Sequence, residues 1–229
     1  MNPDVISHSA TISALGNGGQ GPQALRIFEA MPKARIRPNV ISYNAAISAC
    51  ENGSQWLQIL VLFGAMGEEK VNRNVISYSA AISTCEKGGQ WQQALDFFQE
   101  LLRAKISPDV ISYNATISAC EKCGQWQQAL TFFGKMCEAR VSPNVISCSA
   151  AISACERGGQ DHHTLAIFEA MPQSRICPNV ISYSAAITAC ERGSQWQQAL
   201  SLFFSLPEAN IAASVIAFNA TMSACEAGL

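Results

Sequence analysis

The chain is predicted to be an all-α solenoid of stacked helix-turn-helix pairs, and three observations predict it. Val-Ile-Ser recurs at Val5, Val40, Val75, Val110, Val145 and Val180, and returns as Val-Ile-Ala at Val215, each time 35 residues further on. Inside each unit the apolar residues follow helical rather than alternating spacing. Glycine interrupts the unit in its middle and proline near its end. A fixed period of this length marks supersecondary units that bury their apolar faces on one another instead of around a single core. The organisation that follows is a tail of a preceding repeat at 1–4, full repeats at 5–39, 40–74, 75–109, 110–144, 145–179 and 180–214, and a partial repeat holding one helix at 215–229. Both ends fall inside the repeat pattern, so the chain reads as a fragment of a longer array.

The third repeat shows the plan. Val75, Tyr78, Ile82 and Cys85 form one stripe of a first helix, and Gly88-Gly89 ends it. Trp91, Ala94, Leu95, Phe98 and Leu101 form the stripe of a second, amphipathic helix. Ile106-Ser107-Pro108 closes the repeat, because proline disfavours helix in the residue before it. The second-helix phenylalanine recurs as Phe28, Phe63, Phe98, Phe133, Phe168 and Phe203, and the leucine three before it as Leu25, Leu60, Leu95, Leu130, Leu165 and Leu200. Both are expected to be buried between repeats. Trp56, Trp91, Trp126 and Trp196 open second helices and are expected to pack; Gly21 and Asp161 take their place in the first and fifth repeats. In the partial repeat, the stripe Val215, Phe218, Met222, Cys225 has no second helix of its own, so that end is expected to fray or to be poorly covered.

Composition excludes several classes. Hydrophobic residues make up 48 % of the 229, enough for an extended core, while charged residues are only 14 % and the net charge is −2. A strongly basic nucleic-acid binder is therefore excluded, although cations placed on one face remain compatible with a total near zero. Of ten cysteines, six occupy the eleventh position of a repeat: Cys50, Cys85, Cys120, Cys155, Cys190 and Cys225. There they act as small apolar residues, and all ten, including Cys123, Cys137, Cys148 and Cys177, read as reduced thiols. No apolar run is long enough to span a membrane, and no targeting leader is present in this chain.

Motifs that resemble chemistry do not hold up. Cys120-Glu-Lys-Cys123 is a single CxxC made by a cysteine in a glycine slot, without a second ligand pair at zinc spacing. His162 and His163 are adjacent, so a helix points them to different sides. His8, His162 and His163 lack the following glutamate of a zinc deaminase. No cofactor, metal or small-molecule substrate is expected, and no enzyme activity.

The unit Val-Ile-Ser-Tyr-Asn-Ala-x-Ile-Ser-Ala-Cys-Glu-Lys-x-Gly-Gln-Trp-Gln-Gln-Ala-Leu, with its later Phe and its closing Pro-Asn or Pro-Asp, resembles the pentatricopeptide repeat. The likeness covers essentially the whole chain, and the uniform repeat length resembles the plain P-type arrays. It implies a right-handed superhelix with first helices lining a concave groove. It also implies binding of single-stranded RNA, one base per repeat, in organelle RNA processing, stability or translation, hence in chloroplast or mitochondrion.

Three sets of positions carry that implication. The fifth residues are Ser9, Asn44, Ser79, Asn114, Ser149, Ser184 and Asn219; the closing residues are Asn39, Asn74, Asp109, Asn144, Asn179 and Ser214. All are short polar groups suited to a base edge, and all also suit helix capping. A carboxylate accepts from the imino N–H of guanine or uracil, and a carboxamide donates to the ring nitrogen of adenine or cytosine. In the family, serine at the fifth site goes with purines and asparagine with pyrimidines. The resemblance thus implies the site 5′-AYGYAN-3′, with the sixth base open and the RNA 5′ end at the protein N-terminus. The second residues, Ile6, Ile41, Ile76, Ile111, Ile146, Ile181 and Ile216, correspond to the side chains that wedge between bases in the family; core packing is the competing role. The thirteenth residues Lys87, Lys122, Arg157 and Arg192 form a candidate phosphate ladder, with Asn17, Asn52 and Ala227 breaking it. The helix dipole favours the same cations, and the glutamates one residue earlier soften the field, so modest affinity and a small salt slope are expected. The rival function is a protein-protein interaction scaffold using the same groove.

Overall fold

The computed structural model describes residues 4–52 and 56–227. Among the described residues it holds thirteen helices of thirteen residues each and no strand. The first helices of the repeats are α1 (Val5–Asn17), α3 (Val40–Asn52), α5 (Val75–Lys87), α7 (Val110–Lys122), α9 (Val145–Arg157), α11 (Val180–Arg192) and α13 (Val215–Ala227). The second helices are α2 (Gly21–Lys33), α4 (Trp56–Glu68), α6 (Trp91–Arg103), α8 (Trp126–Glu138), α10 (Asp161–Gln173) and α12 (Trp196–Glu208). The chain forms two compact bodies, Met1–Ala119 and Cys120–Leu229, and each is a helical-repeat solenoid. Pro3, Leu229 and the side chains of Asn52 and Ala227 lie outside the described residues.

Local chemistry sets the helix ends. First helices start where the closing residue of the preceding repeat turns its side chain onto the third residue of the new one: Asp4 accepts from Ser7 N at 2.8 Å, and Asn74, Asn144 and Asn179 form capping boxes with Ser77, Ser147 and Ser182. Past the first helices Gly19, Gly89, Gly124 and Gly159 take positive φ, and Ser194 does so at +55°. Past the second helices the same left-handed slot is held by Arg35, Lys70, Lys105, Arg140, Arg175 and Asn210. A non-glycine residue costs roughly 1 kcal/mol there; in five of the six a cation beside the helix C-terminus offsets part of that cost.

Within each body, an aromatic contact recurs between successive repeats. The second-helix phenylalanine packs on the fourth residue of the next repeat: Phe28 on Tyr43 at 4.8 Å, Phe63 on Tyr78 at 5.4 Å, Phe98 on Tyr113 at 5.0 Å, Phe168 on Tyr183 at 5.0 Å and Phe203 on Phe218 at 5.9 Å between ring centroids. Cys148 occupies the tyrosine slot facing Phe133; it is buried, and Phe133 is only half-buried. The leucine three before the phenylalanine is not buried as the sequence predicts. It is half-buried in five repeats, and Leu60 is exposed. The interior belongs to the residue before it (Ala24, Ile59, Ala94, Ala129, Thr164, Ala199) and to Met31, Met66, Leu101, Met136, Met171 and Leu206. The buried stripe therefore passes one residue to the side of the predicted one, through Ala24, Phe28 and Met31 at i, i+4, i+7.

Trp56 and Trp126 pack between repeats. A Cβ on Gly158 would stand 2.5 Å from Trp126 Cδ1, and one on Gly88 2.9 Å from Trp56 Cδ1, so the indole of one repeat lies on the glycine of the next. Where Asp161 replaces tryptophan, Arg192 of the next repeat reaches it at 3.8 Å. Five eleventh-position cysteines are fully buried, with Cys225 half-buried. Burial pushes the thiols of Cys50, Cys155 and Cys190 up to about 11 and those of Cys85 and Cys120 to about 12. Cys120, half of the CxxC, is thus held in its unreactive form. The α13 stripe is poorly covered, with Phe218 and Met222 about half exposed. No described helix is long and apolar enough to cross a membrane.

Candidate functional site

The structure places the three predicted sets of residues differently. The second-position isoleucines are exposed throughout, from 51 % at Ile181 to 76 % at Ile6. Seven β-branched apolar side chains held in water at the same point of each repeat are not core residues, so the packing role fails for them.

Fifth and closing residues meet across 30 residues of chain. Asn44 Nδ2 donates to Asn74 Oδ1 at 3.2 Å, Ser79 Oγ to Asp109 Oδ1 at 3.1 Å and Ser149 Oγ to Asn179 Oδ1 at 3.2 Å; the Ser184 and Ser214 hydroxyls lie 2.7 Å apart. Ser9 is linked to Asn39 indirectly, through Ser42. Asn114 is half-buried on α7, Asn144 caps α9, and Asn219 is exposed on α13. Capping and pairing therefore coexist in one side chain, since Asn74 Oδ1 also accepts from Ser77 N at 3.0 Å and Asp109 Oδ1 from Ser112 N at 2.8 Å.

This double duty fixes chemistry. The main-chain N–H at a helix start needs an acceptor, so the carboxamide of Asn39, Asn74 and Asn179 turns its oxygen inward. The Nδ2 donor is the atom left to face a ligand. In Asp109 the atom left is Oδ2, an acceptor. The same backbone thus presents opposite hydrogen-bonding character in neighbouring repeats.

Three of these positions lie at depressions walled by successive isoleucines. One of about 370 Å³ is lined by Ile41, Ile76, Asn44 and Asn74, one of about 240 Å³ by Ile6, Ile41, Ser9 and Asn39, and one of about 300 Å³ by Ile181, Ile216, Ser184 and Ser214. The depressions also take in ninth-position hydroxyls, Ser13, Ser48, Ser153 and Thr188, which the sequence reading missed. Their signal was present: a small hydroxyl residue four positions after each fifth residue, on the same helix face.

The cations are not free. Lys87 Nζ is 3.0 Å from Glu51, Arg157 2.9 Å from Glu121 and Arg192 3.0 Å from Glu156. Each pairs with the twelfth residue of the preceding repeat, and Arg192 also donates to the Glu156 carbonyl at 2.6 Å. Lys122 is exposed at the end of α7. The glutamates thus act by direct pairing, which tethers adjacent repeats and neutralises the positive face.

Known proteins place the chain. Family models match it at residues 73–120 and 108–157 (PPR repeat family), 1–53 and 144–193 (pentatricopeptide repeat domain) and 181–211 (PPR repeat). No curated protein matches it in sequence. Among solved structures, the pentatricopeptide repeat protein PPR10 from maize is similar at 20 % identity and a TM-score of 0.58, over 96 % of this chain and 36 % of that one. PPR10 in complex with an 18-nt psaJ RNA element is similar at 20 % identity and 0.57, over the same shares. The PPR domain of Arabidopsis thaliana protein-only RNase P 1, in complex with tRNA, is similar at 13 % identity and 0.70, over 79 % of this chain and 95 % of that one. The chain spans about a third of the maize protein's length. With models of one repeat family matching most of its length and solved members sharing its fold, the chain belongs to the pentatricopeptide repeat family.

Proposed function

We propose that this chain binds single-stranded RNA, one base per repeat, and reads a site of the form 5′-AYGYAN-3′. One observation carries the reading: each of these three depressions has an exposed isoleucine on either side and, in its lining, a fifth and a closing residue joined directly or through one serine by hydrogen bonds. That arrangement suits a single base, sandwiched between apolar side chains and read along its pairing edge. The RNA in solved complexes of PPR10 and of the RNase P 1 repeat domain supports the same class of partner. Asp109 selects guanine in the third place by accepting its imino proton, and Asn179 with Ser149 selects adenine in the fifth. Paired cations leave little free charge, so affinity is modest and weakly salt-dependent. The reading assigns no chemical step to the chain; its work is RNA processing, stability or translation in a chloroplast or mitochondrion, by occupying a transcript.

The test is fluorescence anisotropy of labelled 5′-ACGCA-3′, of the same site with G changed to A, and of a scramble, each at two salt concentrations. Preference for the first establishes base reading. Equal, strongly salt-dependent binding to all three leaves phosphate contact alone. No binding at low salt by the folded chain overturns the reading and favours the protein scaffold.

A further inference from the structure

A third residue lies against five of the closing residues. The third-position serines Ser42, Ser77, Ser112, Ser147 and Ser182 are fully buried, at 0 % exposure. Each accepts the main-chain N–H of the preceding closing residue, at 3.3 Å from Asn39 and Asn74, 2.9 Å from Asp109, 3.1 Å from Asn144 and 2.8 Å from Asn179. Toward the asparagines the hydroxyl also lies within hydrogen-bond distance of Oδ1: 3.1 Å for Ser42, 3.0 Å for Ser77, 3.1 Å for Ser147 and 3.3 Å for Ser182. Ser112 Oγ donates to the Asp109 carbonyl at 2.8 Å, and Ser182 Oγ makes the same contact with the Asn179 carbonyl at 2.9 Å beside its longer one with Oδ1. The serines also reach the fifth residue: Ser77 Oγ donates to Asn44 Oδ1 at 2.6 Å, and Ser42 Oγ lies 2.9 Å from Ser9 Oγ.

We infer that the third-position serine is a positioning residue for base selectivity, holding the closing asparagine with its oxygen inward and its Nδ2 donor outward. The inference rests on the base-reading function proposed above. A carboxamide has a donor end and an acceptor end, and a flip exchanges them; flipped, an adenine-reading repeat presents an acceptor. A carboxylate is chemically symmetric, so the same loosening leaves Asp109 an acceptor. The clamp therefore matters for asparagine repeats and little for the aspartate repeat, because only the carboxamide has two unlike ends.

The sixth repeat is the natural counter-example. Its closing residue is Ser214, and the third position after it is Ala217, which has no hydroxyl. Ser184 donates its proton to the Val180 carbonyl at 2.7 Å, so in the 2.7 Å contact with Ser214 the donor is Ser214. Ser214 also accepts from Ala217 N at 3.1 Å. Its only proton is spent, so this pair offers a base no donor, and the sixth place accepts any base.

The test measures preference ratios on 5′-ACGCAN-3′ RNAs beside thermal melts. Ser182→Ala is expected to lower the preference for A over G in the fifth place by about fivefold, one hydrogen bond's worth. Ser182→Thr retains the preference, and Ser112→Ala leaves the preference for G over A in the third place unchanged despite a comparable loss of thermal stability. Ser214→Asn with Ala217→Ser creates a preference for A in the sixth place, larger than Ser214→Asn alone. An unchanged ratio in Ser182→Ala, or an equal loss in Ser182→Ala and Ser112→Ala, overturns the inference while base reading by the native chain stands. Failure of the native chain to discriminate overturns both.

Discussion

Ser79 donates its hydroxyl to Asp109 Oδ1 at 3.1 Å across 30 residues of sequence, and that same oxygen caps α7 through Ser112 N at 2.8 Å. One carboxylate oxygen thus serves the fold and the other is left for a ligand. Structure and selectivity are thereby separable at this residue. Asp109→Asn preserves a good cap, since the two residues rank equally at helix starts, whereas Asp109→Ala costs about 1 kcal/mol. The expected outcome is a thermal melt of Asp109→Asn close to that of the native chain, together with a switch of preference from 5′-ACGCA-3′ to 5′-ACACA-3′. A melt lowered as far as that of Asp109→Ala with no switch would make capping the whole role of Asp109.

The tryptophan-on-glycine contact sets a second expectation. Gly158 has φ −80°, which any residue adopts, so its need for glycine is purely steric. Gly158→Ala forces a Cβ to 2.5 Å from Trp126, and overpacking of this kind costs about 1–3 kcal/mol. Gly193, the same slot after Asp161, meets no tryptophan; the nearest atom to its Cβ would be the Ala189 carbonyl at 3.3 Å. Gly193→Ala is therefore expected to be nearly neutral. Equal destabilisation of the two variants in denaturant unfolding would show that the indole yields easily.

Stability is also expected to fall on the alkaline side. Burial raises the thiols of Cys50, Cys85, Cys120, Cys148, Cys155 and Cys190 from 9.0 to about 11 or 12. The folded chain then holds protons that the unfolded chain releases, so this contribution is intact below pH 9 and is lost as pH rises through 11–12. Denaturant midpoints should decline over that window. In the native state near pH 8, a thiol reagent should reach exposed Cys137 and Cys177 while the six buried thiols react only on unfolding. Rapid modification of all ten would show that the repeats open readily.

The period made the fold legible, because one unit read correctly is every unit read correctly. Direction was harder. First helices such as α3 and α5 are apolar on most sides because they touch neighbours on most sides, so periodicity alone did not say that Ile41 and Ile76 point outward while Tyr43 and Ile47 point inward. The likeness to the family supplied what the pattern lacked. The second helices misled by one residue: leucine is the larger apolar side chain in Ala-Leu, yet close approach of helices puts the alanine, as at Ala94, inside. Ser77 and its counterparts read as ordinary helix-start residues, and their link to Asn44 joins residues 33 apart, which no local pattern displays. The ion pairs were hidden for the same reason: Lys87 follows Glu86 in the chain but pairs with Glu51.

That pairing leads to the last expectation. Lys87 and Glu51 are both partly open to solvent, with side-chain exposures of 40 % and 27 %, so the bridge adds at most about 1 kcal/mol to stability. Its larger effect is electrostatic, since a cation committed to a carboxylate releases no counterion when RNA binds. Glu51→Gln leaves Lys87 uncommitted without changing the shape of the site. Low-salt affinity for RNA should then rise, and the slope of log affinity against log salt should steepen by about 0.7, the increment for one added phosphate contact on a single strand. Arg157 offers the same experiment through Glu121→Gln. The slope is the decisive quantity because a stability effect alone would shift affinity at all salt concentrations alike. An unchanged slope in both variants would mean that these cations face away from the RNA and serve only to tether neighbouring repeats.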